Sequence, residues 1–208
     1  MTEVAGEPLE IAAADRPRSV VELIWRSVQR APDKEAIRWK AGGGWPSWTY
    51  AELWAHVAAA SIGLRQLGVG AGDRVVILSR SRPEWLVADL ACMALGAVTC
   101  PLYPGDPPAR MAEIARRVGA RLVFAEDARL LQRLRSAPSS SEMDARVVTF
   151  EPDPTNGEAL TLAGLARDAD SSPDALADWE STWRKIGPAQ VATIVHTMGV
   201  NGDPDRTR

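Results

Sequence analysis

Short apolar runs alternate with longer amphipathic stretches through the middle of the chain. The runs at residues 73–79, 97–103, 121–125 and 146–150 are rich in aliphatic residues, and their length is typical of buried strands. The stretches between them repeat apolar residues every three or four positions, which favours helices. Strands that alternate with helices in this way form βαβ units, so the pattern predicts an α/β fold with a layered parallel β-sheet and flanking helices.

The segment before the sheet predicts two helices and a hairpin. The first helix follows Ser19 and has one apolar face, made of Val20, Leu23, Ile24 and Val28. Residues 36–40 and 45–48 are predicted as the two strands of a hairpin, since glycines separate them. Thr49 and Glu52 have the spacing of a capping box, which predicts that the second helix begins at this threonine.

The last part of the chain predicts one more helix and one more strand. A Ser-Pro pair at residues 172–173 precedes a helix with one apolar face, made of Leu176, Trp179, Trp183 and Ile186. Residues 191–195 are apolar and β-branched, which predicts a buried strand that ends at a loop containing glycine and threonine. Such a loop can present backbone N–H groups to phosphate, and the alternative is a buried strand followed by an ordinary turn.

Composition argues against several classes of function. The 208 residues carry a formal net charge of -3, so binding of nucleic acid by a basic surface is not expected. Cys92 and Cys100 form no C-x-x-C pair and have no histidine cluster nearby, which argues against a disulfide framework or a zinc site and favours reduced thiols in the cytoplasm. Residues 1–18 are predicted as a mobile leader without a secretory signal, and no apolar run reaches the ~20 residues that span a bilayer.

Histidine and tryptophan are further side chains that could meet a ligand. His56 falls on the exposed side of a predicted helix, so we expect it to face solvent. His196 stands at the mouth of the glycine-containing loop, where it either contacts a ligand or packs at the end of the strand. The eight tryptophans are expected to pack in the core and the hairpin, with stacking on a ligand as the alternative.

Several blocks of sequence stand in an order that one enzyme family shares. Residues 47–53 read S-W-T-Y-A-E-L, and residues 67–75 read L-G-V-G-A-G-D-R-V. The strongest blocks are R-P-E-W at residues 82–85 and L-G-A-V-T-C-P-L-Y-P at residues 95–104. From about residue 19 to residue 204 the chain resembles the AMP-forming acyl-CoA synthetases, which are adenylate-forming ligases, and the strongest blocks are most similar to the long-chain fatty-acid branch.

The resemblance implies that residues 19–208 are a truncated N-terminal AMP-binding domain with the N-terminal subdomain of the adenylate-forming ligase fold. Enzymes of this family convert a fatty acid and ATP into an acyl-adenylate and pyrophosphate, and then transfer the acyl group to coenzyme A. The implied cofactors are ATP, Mg²⁺ and coenzyme A, and the implied small-molecule partner is a fatty acid. No residue of this sequence is identified as a catalytic base or as a metal ligand.

The family's phosphate-binding loop, T-S-G-T-T-G-x-P-K-G, falls on residues 197–206. The predicted phosphate-contacting positions of this degenerate loop are Thr197, Gly199, Asn201 and Gly202. Methionine and valine replace hydroxyl residues of the pattern at positions 198 and 200, and Asp205 stands where a lysine should face pyrophosphate. An anion at that position repels phosphate, which argues against binding of ATP by this chain.

Three interpretations stay open. The chain is a truncated fatty-acid–CoA ligase that is inactive alone, because the later motifs of the family would lie beyond residue 208. Alternatively, it works with a second chain that carries those motifs, and then the last strand and the helix of Trp179 and Trp183 should expose apolar surface. The third interpretation is a non-catalytic lipid- or nucleotide-binding module. A dehydrogenase-type dinucleotide fold is not supported, because no G-x-G-x-x-G follows a predicted strand.

Overall fold

A computed structural model describes residues 16–155 and 159–196 of the chain. Its helices are α1 (Val20–Arg30), α2 (Tyr50–Gln66), α3 (Pro83–Ala94), α4 (Pro108–Arg117), α5 (Ala128–Arg135), α6 (Leu162–Arg167) and α7 (Pro173–Trp183), with a 3₁₀ turn over Pro138–Glu142. Its strands are β1 (Glu35–Arg38), β2 (Ser47–Thr49), β3 (Arg74–Leu78), β4 (Val98–Leu102), β5 (Leu122–Ala125) and β6 (Arg146–Thr149).

The central feature is a parallel sheet in the order β4-β3-β5-β6. Strand β3 lies inside the sheet, where Val75 pairs with Thr99 of β4 on one side and with Leu122 of β5 on the other. All residues of β3 after Arg74 are buried, as a strand covered on both faces requires. The predicted α/β fold with a layered parallel sheet is therefore confirmed, and β1 and β2 form the predicted antiparallel hairpin.

Alternate side chains of β3 point into two separate cores. Val75 and Ile77 belong to the larger core, which contains residues of α1, α2, α3 and α7. Val76 and Leu78 belong to the smaller core, which contains residues of α4 and α5. The sheet therefore lies between two layers of helices, and the connections β3–α3–β4 and β4–α4–β5 run over its opposite faces.

Helix α2 begins where the sequence predicts. The Thr49 hydroxyl accepts a hydrogen bond from the backbone N–H of Glu52 (3.2 Å), and the Glu52 carboxylate accepts one from the backbone N–H of Thr49 (2.7 Å). Gly63 on the same helix allows α6 to approach closely, since a Cβ there would lie 2.6 Å from the carbonyl oxygen of Leu165. Helix α6 itself is missing from the sequence prediction, because its 6 residues are too short to establish a helical period.

A cluster of tryptophans joins α7 to the two N-terminal helices. The ring of Trp54 lies 5.1 Å from that of Trp179 and 5.5 Å from that of Trp183, and the ring of Trp25 lies 5.6 Å from Trp183. The guanidinium of Arg184 lies 4.5 Å from the Trp25 ring and 4.6 Å from the Trp183 ring. These contacts confirm core packing for these tryptophans. The expected exposed apolar surface of this helix does not include Trp179 and Trp183, because α1 and α2 cover them, whereas Leu176 of α7 is 40% exposed.

Helix α1 forms as predicted, but its buried side differs from the predicted one. Val20 and Leu23 are 46% and 49% exposed, whereas Val21 is 1% exposed. The predicted apolar face is therefore wrong at Val20 and Leu23. The physical reason is the contact between Trp25 and Trp183, which fixes how the helix is turned toward the core.

Residues 191–196 lie beside β4 at the edge of the sheet, and we name them the edge segment. Thr99 donates a backbone hydrogen bond to Ala192 (3.1 Å) and accepts one from Ile194 (2.8 Å), so the segment runs parallel to β4. Val191 and Val195 are 58% and 60% exposed, so the prediction of a buried strand here is wrong. The reason is that no element of the described residues covers the outer side of this edge.

Candidate functional site

A cleft of about 1190 Å³ opens at the carboxyl ends of the parallel strands. Strands β3 and β4 are neighbours, and the connections that follow them run over opposite faces of the sheet. Such a reversal leaves a crevice outside the strand ends, and ligands of open α/β sheets bind in that crevice. The cleft is therefore the candidate ligand site of this fold.

Chain segments that are distant in sequence meet in the cleft. Residues 79–81 follow β3, residues 101–106 form the end of β4 and the start of its connection to α4, and residues 126–127 follow β5. Val195 and His196 bring in the end of the edge segment. The helices add three arginines, namely Arg110 of α4 and Arg129 and Arg133 of α5.

Glu126 fixes the loop that follows β3. The residue is 4% exposed, and its carboxylate accepts hydrogen bonds from the backbone N–H of Arg80 (2.8 Å) and from the hydroxyl of Ser79 (3.2 Å). The guanidinium of Arg80 forms an ion pair with the same carboxylate. The hydrogen bonds from the Arg80 guanidinium are the main reason that the pKa of Glu126 lies below its ordinary value. Glu126 is thus a fixed anion that holds one wall of the cleft in place.

Arg133 shapes the loop between β4 and α4. Its guanidinium donates hydrogen bonds to the carbonyl oxygens of Pro104 (2.6 Å) and Asp106 (3.2 Å). The ring of Tyr103, which is 74% exposed, lies over the same loop. A Cβ at Gly105 would lie 3.1 Å from that ring, so the absence of a side chain at this position allows the close approach.

His196 brings the end of the edge segment into the cleft. Its Nδ1 lies 3.6 Å from the sulfur of Cys100, which is buried in β4. Burial raises the pKa of the Cys100 thiol to about 11. Burial also lowers the pKa of His196, with further contributions from the charges of Arg110 and Arg117. Of the two alternatives for this histidine, packing at the end of the segment is confirmed by the contact with Cys100. The ring also lines the cleft, and contact with a ligand there stays a prediction.

The R-P-E-W block starts helix α3 next to the cleft. The guanidinium of Arg82 donates hydrogen bonds to Glu84 (2.7 Å) and Glu151 (2.9 Å), and it lies 5.9 Å from the ring centroid of Phe150. These carboxylates raise the pKa of Arg82 further above its ordinary value. Trp85 is the member of the block that lines the cleft. Arg82 and Glu84 therefore hold the start of α3 in place, whereas Trp85 faces the cleft, where a ligand could contact it.

The residues predicted to contact phosphate, Thr197, Gly199, Asn201 and Gly202, lie outside the described residues. The structure does place His196, which directly precedes them, in the cleft. His56 is exposed, as predicted, and its ring lies 4.2 Å from the ring of Trp48. His56 does not line the cleft.

Sequence reasoning did not single out Glu126, Arg110 or Arg133. The available signal was position for Glu126, which directly follows a predicted strand, and for Arg110, which lies in the first turn of the next helix after β4. Arg133 lies near the end of α5, so its position carried no such signal. Among residues 16–155 and 159–196, no group of three or more His, Cys, Asp or Glu side chains is placed to hold a metal ion. Within the same ranges, no helix combines the length and apolar character needed to span a membrane.

The fold and the cleft define an open α/β domain with a ligand site at its strand ends. Residues 24–204 match the family described as AMP-binding enzyme. The long-chain-fatty-acid–CoA ligase FadD15 of Mycobacterium bovis is 30% identical over 198 residues, which cover 89% of this chain and 30% of that ligase. Long chain acyl-CoA synthetase 3 of Arabidopsis thaliana is 27% identical over 204 residues, covering 89% of this chain and 29% of the synthetase. The chain belongs to the AMP-binding enzyme family.

Solved structures give the same result for the fold. The N-terminal subdomain of NpsA from Klebsiella oxytoca superposes with a TM-score of 0.63 and 22% sequence identity, over 89% of this chain and 40% of that one. The fold is therefore the one found in the N-terminal subdomain of adenylate-forming enzymes. The chain spans 30% of the length of FadD15.

Proposed function

We propose that this chain supplies the amino-terminal part of a ligase that activates fatty acids with ATP and passes the acyl group to coenzyme A. The observation that carries the proposal is the match of residues 24–204 to the AMP-binding enzyme family, in which two similar proteins are long-chain acyl-CoA ligases. We assign the substrates to the cleft at the strand ends. A cytoplasmic location is part of the proposal, because Cys92 and Cys100 are buried free thiols.

A protein that activates a carboxylate with ATP must bind the negative charges of the phosphates and of the carboxylate. A carboxylate is a poor electrophile, and adenylation gives it a good leaving group while the site screens phosphate charge and aligns the attacking oxygen. Arg110, Arg129 and Arg133 bring positive charge to the cleft. In this proposal Mg²⁺ enters with the phosphates of ATP, as it does where one or two carboxylates and substrate phosphates hold the ion. The loop that begins at Thr197 starts one residue after His196 of the cleft.

We further propose that the isolated chain does not complete this reaction. It spans 30% of the length of FadD15, so most of such a ligase would have to come from other residues. Asp205 stands where the family pattern has a lysine, and a carboxylate at that position repels pyrophosphate.

ATP–pyrophosphate exchange tests whether the isolated chain is inactive. The assay reports adenylate formation directly, because labelled pyrophosphate returns to ATP only when an acyl-adenylate forms reversibly. With the purified chain and a long-chain fatty acid we expect no exchange above background, whereas a complete acyl-CoA ligase in the same assay should exchange. Robust exchange by the chain alone would refute its inactivity. Binding of AMP or fatty acid without exchange would support a non-catalytic binding module instead.

The edge segment favours a second candidate, in which the chain works with a separate chain that carries the remaining motifs. Val191 and Val195 expose apolar surface at the edge of the sheet, and an added strand can pair with such an edge through main-chain hydrogen bonds. Light scattering of the chain mixed with the carboxyl-terminal part of a long-chain acyl-CoA ligase tests this candidate. A stable complex that gains exchange activity would support it, and two separate species without activity would argue against it.

A further inference from the structure

Two cationic or titratable side chains, Arg110 and His196, line the same cleft at the strand ends. They approach from different elements, since Arg110 belongs to helix α4 and His196 ends the edge segment. The charge of Arg110 contributes to the lowered pKa of His196, as expected when a cation lies near an imidazole.

Arg110 has an unsatisfied donor. Its side chain is 20% exposed, and its Nε is buried without a hydrogen-bond partner among the described residues. Oδ2 of Asp106 lies 3.7 Å away, which is beyond hydrogen-bond distance although the two charges still attract each other. Buried donors normally have an acceptor, and this Nε is an exception. A ligand in the cleft would meet the part of the side chain that is exposed.

Of the two ring nitrogens of His196, Nδ1 contacts Cys100, which leaves Nε2 for a ligand. Nδ1 faces the Cys100 sulfur at 3.6 Å, and burial keeps that thiol protonated by raising its pKa to about 11. A protonated thiol can donate to Nδ1, and in that arrangement the proton of the neutral imidazole lies on Nε2. The Nε2–H group can then donate to a ligand in the cleft even before the ring becomes charged.

We propose that Arg110 and His196 together bind a phosphate-type oxyanion in this cleft. One oxygen of the oxyanion accepts from the part of the Arg110 guanidinium that faces the cleft, and a second oxygen accepts from Nε2 of His196. The inference deepens the proposed function, because it assigns two residues to the anionic substrate of the same cleft. Binding of the oxyanion requires neither adenylation nor acyl transfer, so the proposal can be tested when turnover is absent.

The charges around His196 determine how binding depends on pH. Arg110 and Arg117 of α4 oppose protonation of the ring, and the Cys100 thiol is neutral. Arg117 also pairs with Glu113 at 2.6 Å, and Asp106 lies beside Arg110. A bound oxyanion opposes the effect of the arginines and stabilises the imidazolium. By linkage, phosphate should raise the pKa of His196, and it should bind more tightly as the pH falls.

Imidazole resonances provide the test, because the chain has 2 histidines and only one of them lines the cleft. The full chain is titrated with pH in the presence of inorganic phosphate or of sodium chloride at equal ionic strength. We expect phosphate to raise the pKa of His196 by about one unit while the pKa of His56 stays the same. Sodium acetate is the second anion, and it should produce a clearly smaller shift than phosphate.

Two variants make the assignment specific. Arg110→Gln should raise the pKa of His196 in chloride, because a repelling charge is lost, and should abolish the further rise with phosphate. Arg167→Gln is the matched control, since this exposed arginine pairs with Asp168 outside the cleft, and it should leave the phosphate response intact. Equal shifts of His56 and His196, a phosphate response that survives Arg110→Gln, or equal responses to phosphate and acetate would each overturn the proposal.

Discussion

Replacement of Glu126 by glutamine should loosen one wall of the cleft and destabilise the protein. In the native carboxylate, Oε2 accepts hydrogen bonds from the Arg80 backbone (2.8 Å) and from Ser79 (3.2 Å), while Oε1 faces the Arg80 guanidinium. Glutamine has nearly the same shape, but one of its two oxygens is replaced by an N–H donor. Whichever way the amide is oriented, one set of donors faces another donor, and the charge that attracts Arg80 is lost.

The exposure of the two partners sets the size of this effect. The side chain of Glu126 is 6% exposed, whereas that of Arg80 is 77% exposed. Removal of one partner from a buried pair costs about 3–5 kcal/mol. Since water can solvate the released guanidinium, we expect a smaller loss of about 2 kcal/mol for Glu126→Gln. For a chain of this size, such a loss lowers Tm by about 4–8 °C.

Thermal unfolding followed by circular dichroism measures this difference. Hydrogen bonds from Arg80 lower the pKa of Glu126 in the folded protein. The stabilisation is therefore present above the unfolded-state pKa of about 4.3 and is lost as the pH falls through the lower folded-state pKa. Glu142→Gln, on an exposed side chain, is the matched control and should leave Tm nearly unchanged. An unchanged Tm for Glu126→Gln at pH 7, or a loss that stays constant down to about pH 3, would refute the reasoning.

Three further substitutions test the packing around the sheet. Asp89→Asn should increase the free energy of unfolding near pH 7, because burial raises the pKa of Asp89 while asparagine still accepts the Thr99 hydroxyl bond (2.7 Å). In urea unfolding this gain should shrink as the pH falls through the folded-state pKa and vanish below the unfolded-state pKa of about 3.9. Gly63→Ala should cost about 1–3 kcal/mol, since its Cβ would lie 2.6 Å from the Leu165 carbonyl oxygen, and an unchanged urea midpoint would contradict this. Thr49→Ala should cost about 1 kcal/mol by removing the cap of α2, whereas Thr49→Ser should restore most of the loss.

The sheet and its helices could be predicted from the sequence because their signals are local. The buried run of β3 and the capping box of Thr49 and Glu52 each lie within a few residues, and the structure confirms both. The side of α1 that is buried could not be predicted in the same way. The rotation of α1 about its axis depends on the contact of Trp25 with Trp183, and these two residues are 158 positions apart in the chain (183 − 25).

The candidate site was much less predictable than the fold. Glu126 belongs to the loop after β5, yet its partner Arg80 follows β3, and the two meet because these strands are neighbours. Strand order is a property of the whole sheet, and periodicity along the chain does not reveal it. The same reason applies to residues 191–195, whose apolar composition indicates a strand but cannot tell whether that strand lies inside a sheet or at its edge.

The blocks that resemble acyl-CoA synthetases mostly contain residues that hold the fold. Arg82 ties the start of α3 to Glu151, and Gly96, with φ of 71°, ends the turn before β4 while its carbonyl accepts a hydrogen bond from Gln190 at 2.9 Å. A protein can need these residues for its sheet whether or not it turns over a substrate. Family membership therefore accounts for the fold of this chain, but its activity is a separate matter. The exchange assay tests whether an adenylate forms, and the response of His196 to phosphate tests whether the cleft still recognises an anion when no adenylate forms.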